Sequence, residues 1–271
     1  DVYKRQLRDG VELNEVNVVS RRMGTMKLRS SVMNEEMISS AELSRAACCN
    51  LGESFVTNPS VDVSYSDAAT GAKQIKLLGL SGTYVQMLTE NIPNYRGAAS
   101  PYGLGYVPGP WMQSIQVSKG ISSVKNGYEA ITGQINVEFK KPQLPEADWV
   151  SANLFASSTS RYEANADATL KLSKRWSTSL LAHYENETKA HDGNDDGFVD
   201  IPRVEQYNVW NRWAYMGDHY VFQAGFKALS ESRNSGQAHH AGMQSDDLYK
   251  VGIDTERYEL FTCLLYTSDA A

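Results

Sequence analysis

Residues Gln113 to Pro142, QSIQVSKGISSVKNGYEAITGQINVEFKKP, contain two short strand-like runs on either side of a glycine-rich bend. Ile115 to Lys119 and Gly133 to Phe139 alternate in polarity, so both are predicted strands. Gly120 and Gly133 stand where a strand meets a turn, and such junctions need positive φ or a close backbone approach. Short strands joined by tight glycine turns predict part of a small α+β domain.

The segment upstream, residues 39–112, adds short helices to this pattern. Ser40 is a favourable N-cap for a helix, whereas Asn50 can cap a second helical turn that ends at Asn58-Pro59. The predicted elements are a helix at Ala41 to Ala47, a helical turn at Leu51 to Thr57, strands at Val61 to Tyr65, Gln74 to Gly79 and Tyr84 to Leu88, and a helical turn at Trp111 to Ser114.

From Trp149 onward the chain changes to long strands that alternate in polarity. In Tyr162 to Leu172, apolar and polar side chains fall on opposite faces for eleven residues. Trp176 to Glu185 repeats this alternation except at Thr178 and Leu181, and Tyr220 to Leu229 repeats it as well. Trp149 to Ser157 begins the series, and its less regular members are Gln206 to Met216 and Leu248 to Phe261. Strands of about ten residues with aromatic ends are typical of a membrane barrel. A soluble antiparallel sandwich also alternates, so periodicity leaves both folds open.

Composition and charge exclude two other classes of protein. The 26 lysines and arginines are scattered along 271 residues with a net charge of −6, which argues against a nucleic-acid-binding protein. No run of about 18 apolar residues occurs, so a helical membrane span is excluded. Barrel strands need only about 9 to 11 residues of alternating polarity, and the mean hydropathy of −0.44 is compatible with them.

The order of motifs in Gln113 to Pro142 resembles the plug domain of TonB-dependent receptors. In that family a strand ending in a Lys-Gly turn leads through a Ser-Val pair and a small-residue bend to a final Gly-x-Ile-Asn-Val strand, as it does here. Asn58 to Val63 and Lys73 to Leu80 are similar to the family's strand after the helix and to its "IRGL"-type strand. Met87 to Gly97 looks like its "LIDGVP" turn.

Two positions depart from the family pattern. Leu78 stands where the family usually has Arg, and Glu90-Asn91 replaces Asp-Gly in the turn. These departures indicate a divergent branch of the family. The resemblance covers residues 14 to 141, and it reaches the later strands only by their pattern.

The resemblance implies the fold class, an α+β plug domain followed by antiparallel β strands of an incomplete transmembrane β-barrel. The expected segments are an artefactual or truncated extension at 1–13, the plug at 14–145, the N-terminal part of a barrel of about 22 strands at 146–262, and an artefactual tail at 263–271. About six strands are expected in this chain. The chain is therefore expected to be a fragment that cannot close a barrel.

The same resemblance implies energised import across the bacterial outer membrane, without enzymatic activity or a required cofactor. Expected partners are the TonB energy-transducing protein, outer-membrane lipid and a scarce cargo such as a metal-siderophore, haem, cobalamin or copper complex. Glycan or peptide import is the alternative within this architecture, and a soluble β-rich binding module is the alternative outside it. An outer-membrane lipase would need a Ser-His pair on neighbouring strands, and no GxSxG, P-loop or GxGxxG motif points to an enzyme.

A short extended segment near the N-terminus is similar to the family's TonB box. It consists of Glu15, Val16, Asn17, Val18, Val19 and Ser20. A β-branched segment of this kind can add a strand to the edge of a partner's sheet through main-chain hydrogen bonds. The resemblance implies that TonB binds here, and an ordinary edge strand is the alternative.

Pro93 to Trp111 is a loop rich in glycine, proline and aromatic residues. The resemblance implies that such loops, at the outer apex of the plug, contact the cargo. The candidate contact residues are Tyr95, Arg96, Tyr102, Tyr106 and Trp111. The alternative is that their aromatic side chains pack against the barrel wall.

His191 to Asp200 is an acidic loop between two predicted strands. Asp192, Asn194, Asp196, Gly197 and Asp200 occupy positions 1, 3, 5, 6 and 9 of a calcium-loop template. Position 12 is Arg203 instead of Glu, which rejects a full EF-hand. The loop is predicted to offer either an incomplete oxygen cage for calcium or an ordinary solvated turn.

Two further groups are weaker candidates. His239 and His240 with Met243 would suit copper or haem, although a loop with two histidines is more often merely polar. Adjacent Cys48 and Cys49 show no CxxC spacing, so small buried side chains are favoured over a disulfide or a metal site.

Overall fold

A computed structural model describes residues 26–27, 34–45, 49–56, 58–80, 82–121, 126, 128–142, 150–238 and 248–266. Residues 26–142 of this set form an N-terminal domain, and residues 150–266 form one antiparallel sheet that we call the wall sheet. No helix in the described part of the chain is long and apolar enough to cross a membrane.

In its described residues, the N-terminal domain contains short strands, a short helix and several 3₁₀ turns. Its strands are β1 (Met26–Lys27), β2 (Asn34–Ser39), β3 (Val61–Asp67), β4 (Ala72–Leu77), β5 (Val85–Thr89), β6 (Ile92–Pro93), β7 (Met112–Lys119) and β8 (Gly133–Phe139). Its helix is α1 (Ser40–Arg45), and the 3₁₀ turns are Glu53–Phe55, Gly82–Tyr84, Gly97–Ala99 and Gly109–Trp111. The main sheet has the order β1-β2-β7-β8-β5-β6, and β3 pairs with β4 as a separate hairpin.

Strand β8 is the centre of this domain and is covered on both faces. Ile135 and Val137 pack into the apolar core, as their alternation predicts. Asn136, on the opposite face, is also buried. Its amide accepts a hydrogen bond from the backbone N–H of Asn91 at 2.8 Å and donates one to Gln116 at 3.3 Å. A buried amide is tolerated when its hydrogen bonds are made, so this polar face holds the β5–β6 turn in place.

The predicted helical turn at Leu51 to Thr57 is shorter than expected. The Asn50 Oδ1 accepts the backbone N–H of Glu53 at 3.2 Å, as a helix-initiating side chain would. Only Glu53–Phe55 is helical, however, as a 3₁₀ turn whose N-cap is Gly52. Pro59 disfavours helical geometry at the residue before it, which leaves room for a single turn.

Glu90-Asn91, which stands where the family usually has Asp-Gly, forms the tight turn between β5 and β6. Glu90 and Asn91 have φ of 52° and 65°, as a two-residue type I′ hairpin turn between β5 and β6 requires. Asn adopts this conformation at little cost. Glu90 carries a carboxylate, as the Asp of the family's Asp-Gly does, on a side chain that is one methylene longer.

The wall sheet is a meander in which each strand pairs with the one before it. Its strands are β9 (Val150–Ala156), β10 (Arg161–Lys171), β11 (Trp176–Glu187), β12 (Arg203–Met216), β13 (Tyr220–Gly236) and β14 (Lys250–Tyr266). Short turns at residues 172–175 and 217–219 join strands at one end, and residues 188–202 and 237–249 join them at the other, which we call the loop end. Strand β14 pairs through Tyr266, four residues into the segment predicted to be an artefactual tail.

In the wall sheet the apolar face is exposed and the polar face is buried, which is the reverse of a soluble sandwich. Apolar side chains point away from the rest of the protein and are exposed, as for Leu180 (45%) and Leu264 (66%). Charged side chains point inward and are buried, as for Arg212 (0%) and Lys227 (1%). Outward apolar and inward polar faces are the pattern of a membrane-barrel wall, so the fold predicted from the resemblance is confirmed.

Aromatic side chains mark two levels on the outer face. Trp176 contacts Tyr215 at a ring distance of 5.0 Å near the short turns, and Tyr184 contacts Tyr207 at 5.0 Å toward the loop end. On each strand the two aromatic rings are eight positions apart, which is about 26 Å along a strand and about 20 Å after tilting. That spacing is close to the about 25 Å apolar band between the aromatic girdles of membrane barrels.

Candidate functional site

The N-terminal domain lies against the inner face of the wall sheet, and an aromatic cluster joins the two. Phe139 at the end of β8 contacts Trp210 of β12 at a ring distance of 5.5 Å. Trp210 in turn stacks on Phe261 of β14 at 5.4 Å, and Phe139 contacts Trp111 at 6.1 Å. Each of these rings comes from a different element, so the cluster fixes how the domain sits on the wall.

Around this cluster the contacts are ionic. Arg212 of β12 is fully buried and pairs with Glu90 in the β5–β6 turn. Lys140, just after β8, pairs with Asp167 of β10 at 3.0 Å. A buried cation without a partner is costly, so each pair ties a residue of the domain to one position on the wall.

The densest ionic contact is at the loop end, around Arg161 at the start of β10. Its guanidinium donates a hydrogen bond from Nη1 to Glu53 at 2.9 Å and lies within ion-pair distance of Glu163 (2.7 Å) and Glu185 (2.9 Å). Burial alone would raise the pKa of the Glu53 carboxyl, but the charge and hydrogen bond of Arg161 outweigh it and hold that pKa below its ordinary value. We call these four residues the Arg161 cluster.

Tyr95 is held between two cations of the wall. The Lys227 ammonium donates a hydrogen bond to the Tyr95 hydroxyl at 2.8 Å and lies 5.3 Å from the ring centroid, and the Arg257 guanidinium lies 5.0 Å from the same ring. Burial raises the pKa of the Tyr95 hydroxyl. Tyr95 has φ of 51°, and a Cβ on Gly103 would come within 2.5 Å of its side chain. Gly103 therefore allows the loop to close over Tyr95.

The five predicted cargo-contact residues separate into two groups. Tyr95, Tyr106 and Trp111 are buried between the N-terminal domain and the wall, as in the packing alternative that the sequence left open. Arg96 is exposed and forms a bidentate ion pair with Glu129 at 2.9 Å. Tyr102 is half-buried, with the Arg233 guanidinium 5.3 Å from its ring. Contact of any of the five with cargo stays a prediction.

The predicted calcium loop is ordered by hydrogen bonds to its own backbone. Asp192 accepts the backbone N–H of Gly197 at 2.9 Å, and Asp200 accepts that of Gly193 at 2.6 Å. Asn194 donates to Asp196 at 3.0 Å. Among the described residues, no group of three or more His, Cys, Asp and Glu side chains is placed to hold a metal ion. Calcium binding by this loop stays a prediction.

Other predicted sites lie outside the described residues or carry no chemistry. The TonB-box-like segment at residues 15–20 and the histidine pair at residues 239–240 lie outside them, as does Cys48. Cys49 is buried, and burial together with the carboxylates of Glu163 and Glu53 raises the pKa of its thiol. A thiol in that environment stays protonated and unreactive, as the sequence predicted for a small buried side chain.

The charged residues of the wall that face the N-terminal domain were not predicted from the sequence. Arg161, Arg212 and Lys227 stand at inward positions of their strands. The alternation of the strands could have identified them. Each is a cation on the strand face opposite the aromatic and aliphatic residues, and in a membrane barrel that face points into the lumen.

Comparison with known proteins matches both parts of this arrangement. Residues 27–134 match the family model described as the TonB-dependent Receptor Plug Domain. The vitamin B12 transporter BtuB of Vibrio vulnificus (strain CMCP6) is 24% identical over 185 residues, which are 68% of this chain and 30% of the relative.

Solved structures extend the match to the wall sheet. FpvA of P. aeruginosa, bound to heterologous pyoverdines, has a TM-score of 0.69 at 13% identity and covers 90% of this chain and 33% of its own. The ferric-catecholate import receptor Fiu of E. coli K12, in its open form, has a TM-score of 0.59 at 18% identity. The match covers 75% of this chain and 28% of the Fiu chain. These likenesses show the fold, and the chain spans about a third of the length of these relatives.

Proposed function

Because this chain carries the plug domain of the TonB-dependent receptors on a wall sheet with the fold of that family, we propose that it serves energised uptake of a scarce nutrient across the bacterial outer membrane. The family consists of outer-membrane receptors and transporters rather than enzymes. The cargo is a metal-siderophore, haem, cobalamin or copper complex. Glycan or peptide import by the same architecture is the alternative cargo class.

The observation that carries this proposal is the polar character of the contact between the N-terminal domain and the wall. Arg161, Arg212 and Lys227 hold the domain through ion pairs and hydrogen bonds at separate places. These polar contacts surround an apolar core that Leu181, Trp210 and Leu229 of the wall share with the domain. Water can replace such bonds as they break, whereas separating a purely apolar interface exposes its whole area to water. A domain held in this way can be displaced by a pulling force and can then return.

The outer face of the wall sheet disfavours the soluble binding module. Exposed side chains such as Leu154 (82%) and Leu260 (79%) belong to an apolar surface that spans several strands. Soluble monomers rarely expose contiguous apolar patches of more than a few hundred Å². Contact with outer-membrane lipid accounts for this face, which supports the proposal that the protein lies in that membrane.

TonB is the proposed partner on the periplasmic side of the outer membrane. In the sequence, the TonB-box-like residues Glu15 to Ser20 precede the N-terminal domain, and we propose that they bind TonB by strand addition. Strand addition needs free backbone N–H groups, and proline removes one and fixes φ. Val18→Pro is therefore expected to abolish TonB-driven uptake, with Val18→Thr as the matched control that keeps a β-branched side chain.

The test is uptake of radiolabelled cargo by cells that make the native-length protein. Ferric siderophores, haem, cobalamin and a copper complex are offered separately, with an oligosaccharide and a peptide as the alternative class, in TonB-containing and TonB-deficient hosts. The proposal predicts uptake of one metal complex that is lost in the TonB-deficient host and in Val18→Pro. Equal uptake in both hosts, or TonB-dependent uptake of the oligosaccharide or peptide alone, would contradict it.

A further inference from the structure

A cavity of about 80 Å³ lies between the N-terminal domain and the loop end of the wall sheet. Its lining includes Tyr65 and Lys73 from the β3–β4 hairpin, Tyr102 from the aromatic loop, and Glu187, Gln206 and Arg233 from the wall. We call it the chamber. Such a volume corresponds to about five to eight water positions, which suits a head group of a few heavy atoms.

Most charged groups at the chamber are already paired with one another. Arg161 pairs with Glu53, Glu163 and Glu185. Arg233 pairs with Glu231 at 3.0 Å and also donates a hydrogen bond to the backbone carbonyl of Thr70 at 3.4 Å. These groups form the frame of the chamber and are not available to a ligand.

Two charged side chains of the chamber have no such partner. Within the described residues, the Lys73 ammonium makes no hydrogen bond or ion pair, and its contact is with the face of Tyr65, 5.3 Å from the ring centroid. Glu187 is 7% exposed, and among the described residues its carboxylate makes no hydrogen bond or ion pair either. A buried carboxylate without hydrogen bonds is costly, so its place beside a cavity calls for a ligand that completes it.

Gln206 leaves a third unsatisfied group in the chamber. Its Nε2 donates to Glu231 at 2.8 Å and to the backbone carbonyl of Gly105 at 3.3 Å, which fixes the orientation of the amide. The other end of the amide, Oε1, is buried and has no hydrogen-bond partner among the described residues. The chamber therefore offers one ammonium group, one carboxylate and one carbonyl oxygen.

We propose that the chamber binds a zwitterionic head group, an amine and a carboxylate joined as in an α-amino acid. This inference rests on the proposed function and assigns a chemical feature to the cargo. The ligand's carboxylate accepts from Lys73, and its ammonium donates to Glu187 and to Gln206 Oε1. A simple anion would leave Glu187 unpaired, and a simple cation would leave Lys73 unpaired, so a ligand with both charges satisfies the site best.

Three small probes test this proposal on the native-length protein purified in detergent. Glycine carries both charges, whereas acetate and methylammonium each carry one. Dissociation constants are measured by isothermal titration calorimetry. We expect glycine to bind at least tenfold more tightly than acetate or methylammonium. Each single-charge probe leaves one charged group of the buried site unpaired, which lowers its affinity by about that factor. This comparison needs no variant.

Variants then assign each charge of glycine to its residue. Lys73→Met is expected to weaken glycine at least tenfold and to abolish acetate binding while leaving methylammonium unchanged. Glu187→Gln is expected to weaken glycine similarly and to abolish methylammonium binding while leaving acetate unchanged. Lys76→Met removes a cation from the same strand but outside the chamber, and it should change none of the three constants. Far-UV circular dichroism confirms that each variant is folded.

The inference is overturned if glycine binds no more tightly than its halves, or if Lys73→Met and Glu187→Gln bind it as the unaltered protein does. This outcome is separate from the proposed function. TonB-dependent uptake without glycine binding would overturn the zwitterion assignment alone, and glycine binding without TonB-dependent uptake would overturn only the transport proposal.

Discussion

Removal of the guanidinium at the centre of the Arg161 cluster should destabilise the protein strongly. Arg161→Met keeps much of the side-chain length but leaves three carboxylates close together, and two of them, on Glu163 and Glu185, are 1% and 10% exposed. Breaking a buried ion pair by removing one partner costs about 3–5 kcal/mol. We expect a loss in this range in urea unfolding followed by circular dichroism at about pH 8, where carboxylates are ionised.

The dependence of this loss on pH follows from the pKa of Glu53. In the unaltered protein Arg161 holds that pKa below its unfolded value, so the pair stabilises the fold above about pH 4.3 and is lost as the pH falls through the folded pKa. In Arg161→Met, burial and the neighbouring carboxylates of Glu163 and Glu185 raise the pKa of Glu53 above the unfolded value, against the weaker lowering effects of the Cys49 N–H and the Lys73 charge. The carboxyl then favours the fold at low pH, so the loss should be smaller at about pH 5 than at about pH 8.

Arg175→Met is the matched control. Arg175 also forms an ion pair with a carboxylate, that of Asp218 at 2.7 Å, but the two side chains are 53% and 73% exposed. Exposed pairs contribute little to stability, so Arg175→Met should leave the free energy of unfolding nearly unchanged at both pH values. A loss below about 1 kcal/mol for Arg161→Met, or a loss that is the same at both pH values, would refute the reasoning.

Three further predictions concern other parts of the molecule. Gly133→Ala should cost about 3 kcal/mol or more in urea unfolding, because a Cβ there would lie 2.2 Å from the Ser118 carbonyl oxygen. Its control Gly79→Ala, at φ of 80° in open space, should cost about 1–2 kcal/mol. Equal losses would contradict the close approach of Gly133 to Ser118. Phe226→Lys should lower the yield of folded protein in outer membranes, because a lysine on the lipid face costs about 2–4 kcal/mol at mid-depth; normal yield would argue against lipid contact. If the acidic loop binds calcium, terbium luminescence should be displaced by calcium and lost in Asp192→Asn, and a signal that Asp192→Asn leaves unchanged would contradict the prediction.

The N-terminal domain could be predicted from the sequence more fully than the wall. Gly133 to Phe139 was predicted with the bounds that β8 has in the structure, because a strand between two tight turns is specified locally. Gln206 to Met216 was predicted as one of the less regular strands, yet residues of β12 alternate regularly between buried and exposed. The inner face of β12 mixes Trp210 with Arg212, since both pack on the N-terminal domain, and this mixture hides the alternation of polarity.

The same cause limited prediction of the site. The aromatic loop was identified, but which of its residues are buried depends on cations of the wall more than a hundred positions later in the chain, such as Lys227 beside Tyr95. Leu181 broke the expected alternation of its strand because it faces inward and joins the shared apolar core. A sequence pattern reports the polarity of a side chain, whereas burial here depends on what the opposite surface offers.

The central claim is that the N-terminal domain is held on the inner face of the wall and must move for cargo to pass. Asn94 and Glu259 face each other across the contact, with Asn94 Nδ2 3.2 Å from a carboxylate oxygen of Glu259. Neither residue lines the chamber, so both can be replaced without altering the proposed cargo site. Asn94→Cys with Glu259→Cys, in a background with the three cysteines of the chain replaced by alanine, allows the two surfaces to be joined by a short thiol-specific reagent with a reducible link.

The most direct measurement is cargo uptake by cells carrying this cross-linked protein, before and after reduction. We predict that the link forms in outer membranes, that it stops TonB-dependent uptake while cargo still binds, and that reduction restores uptake. Undiminished uptake by fully cross-linked protein, or failure of the two cysteines to cross-link at all, would contradict the account.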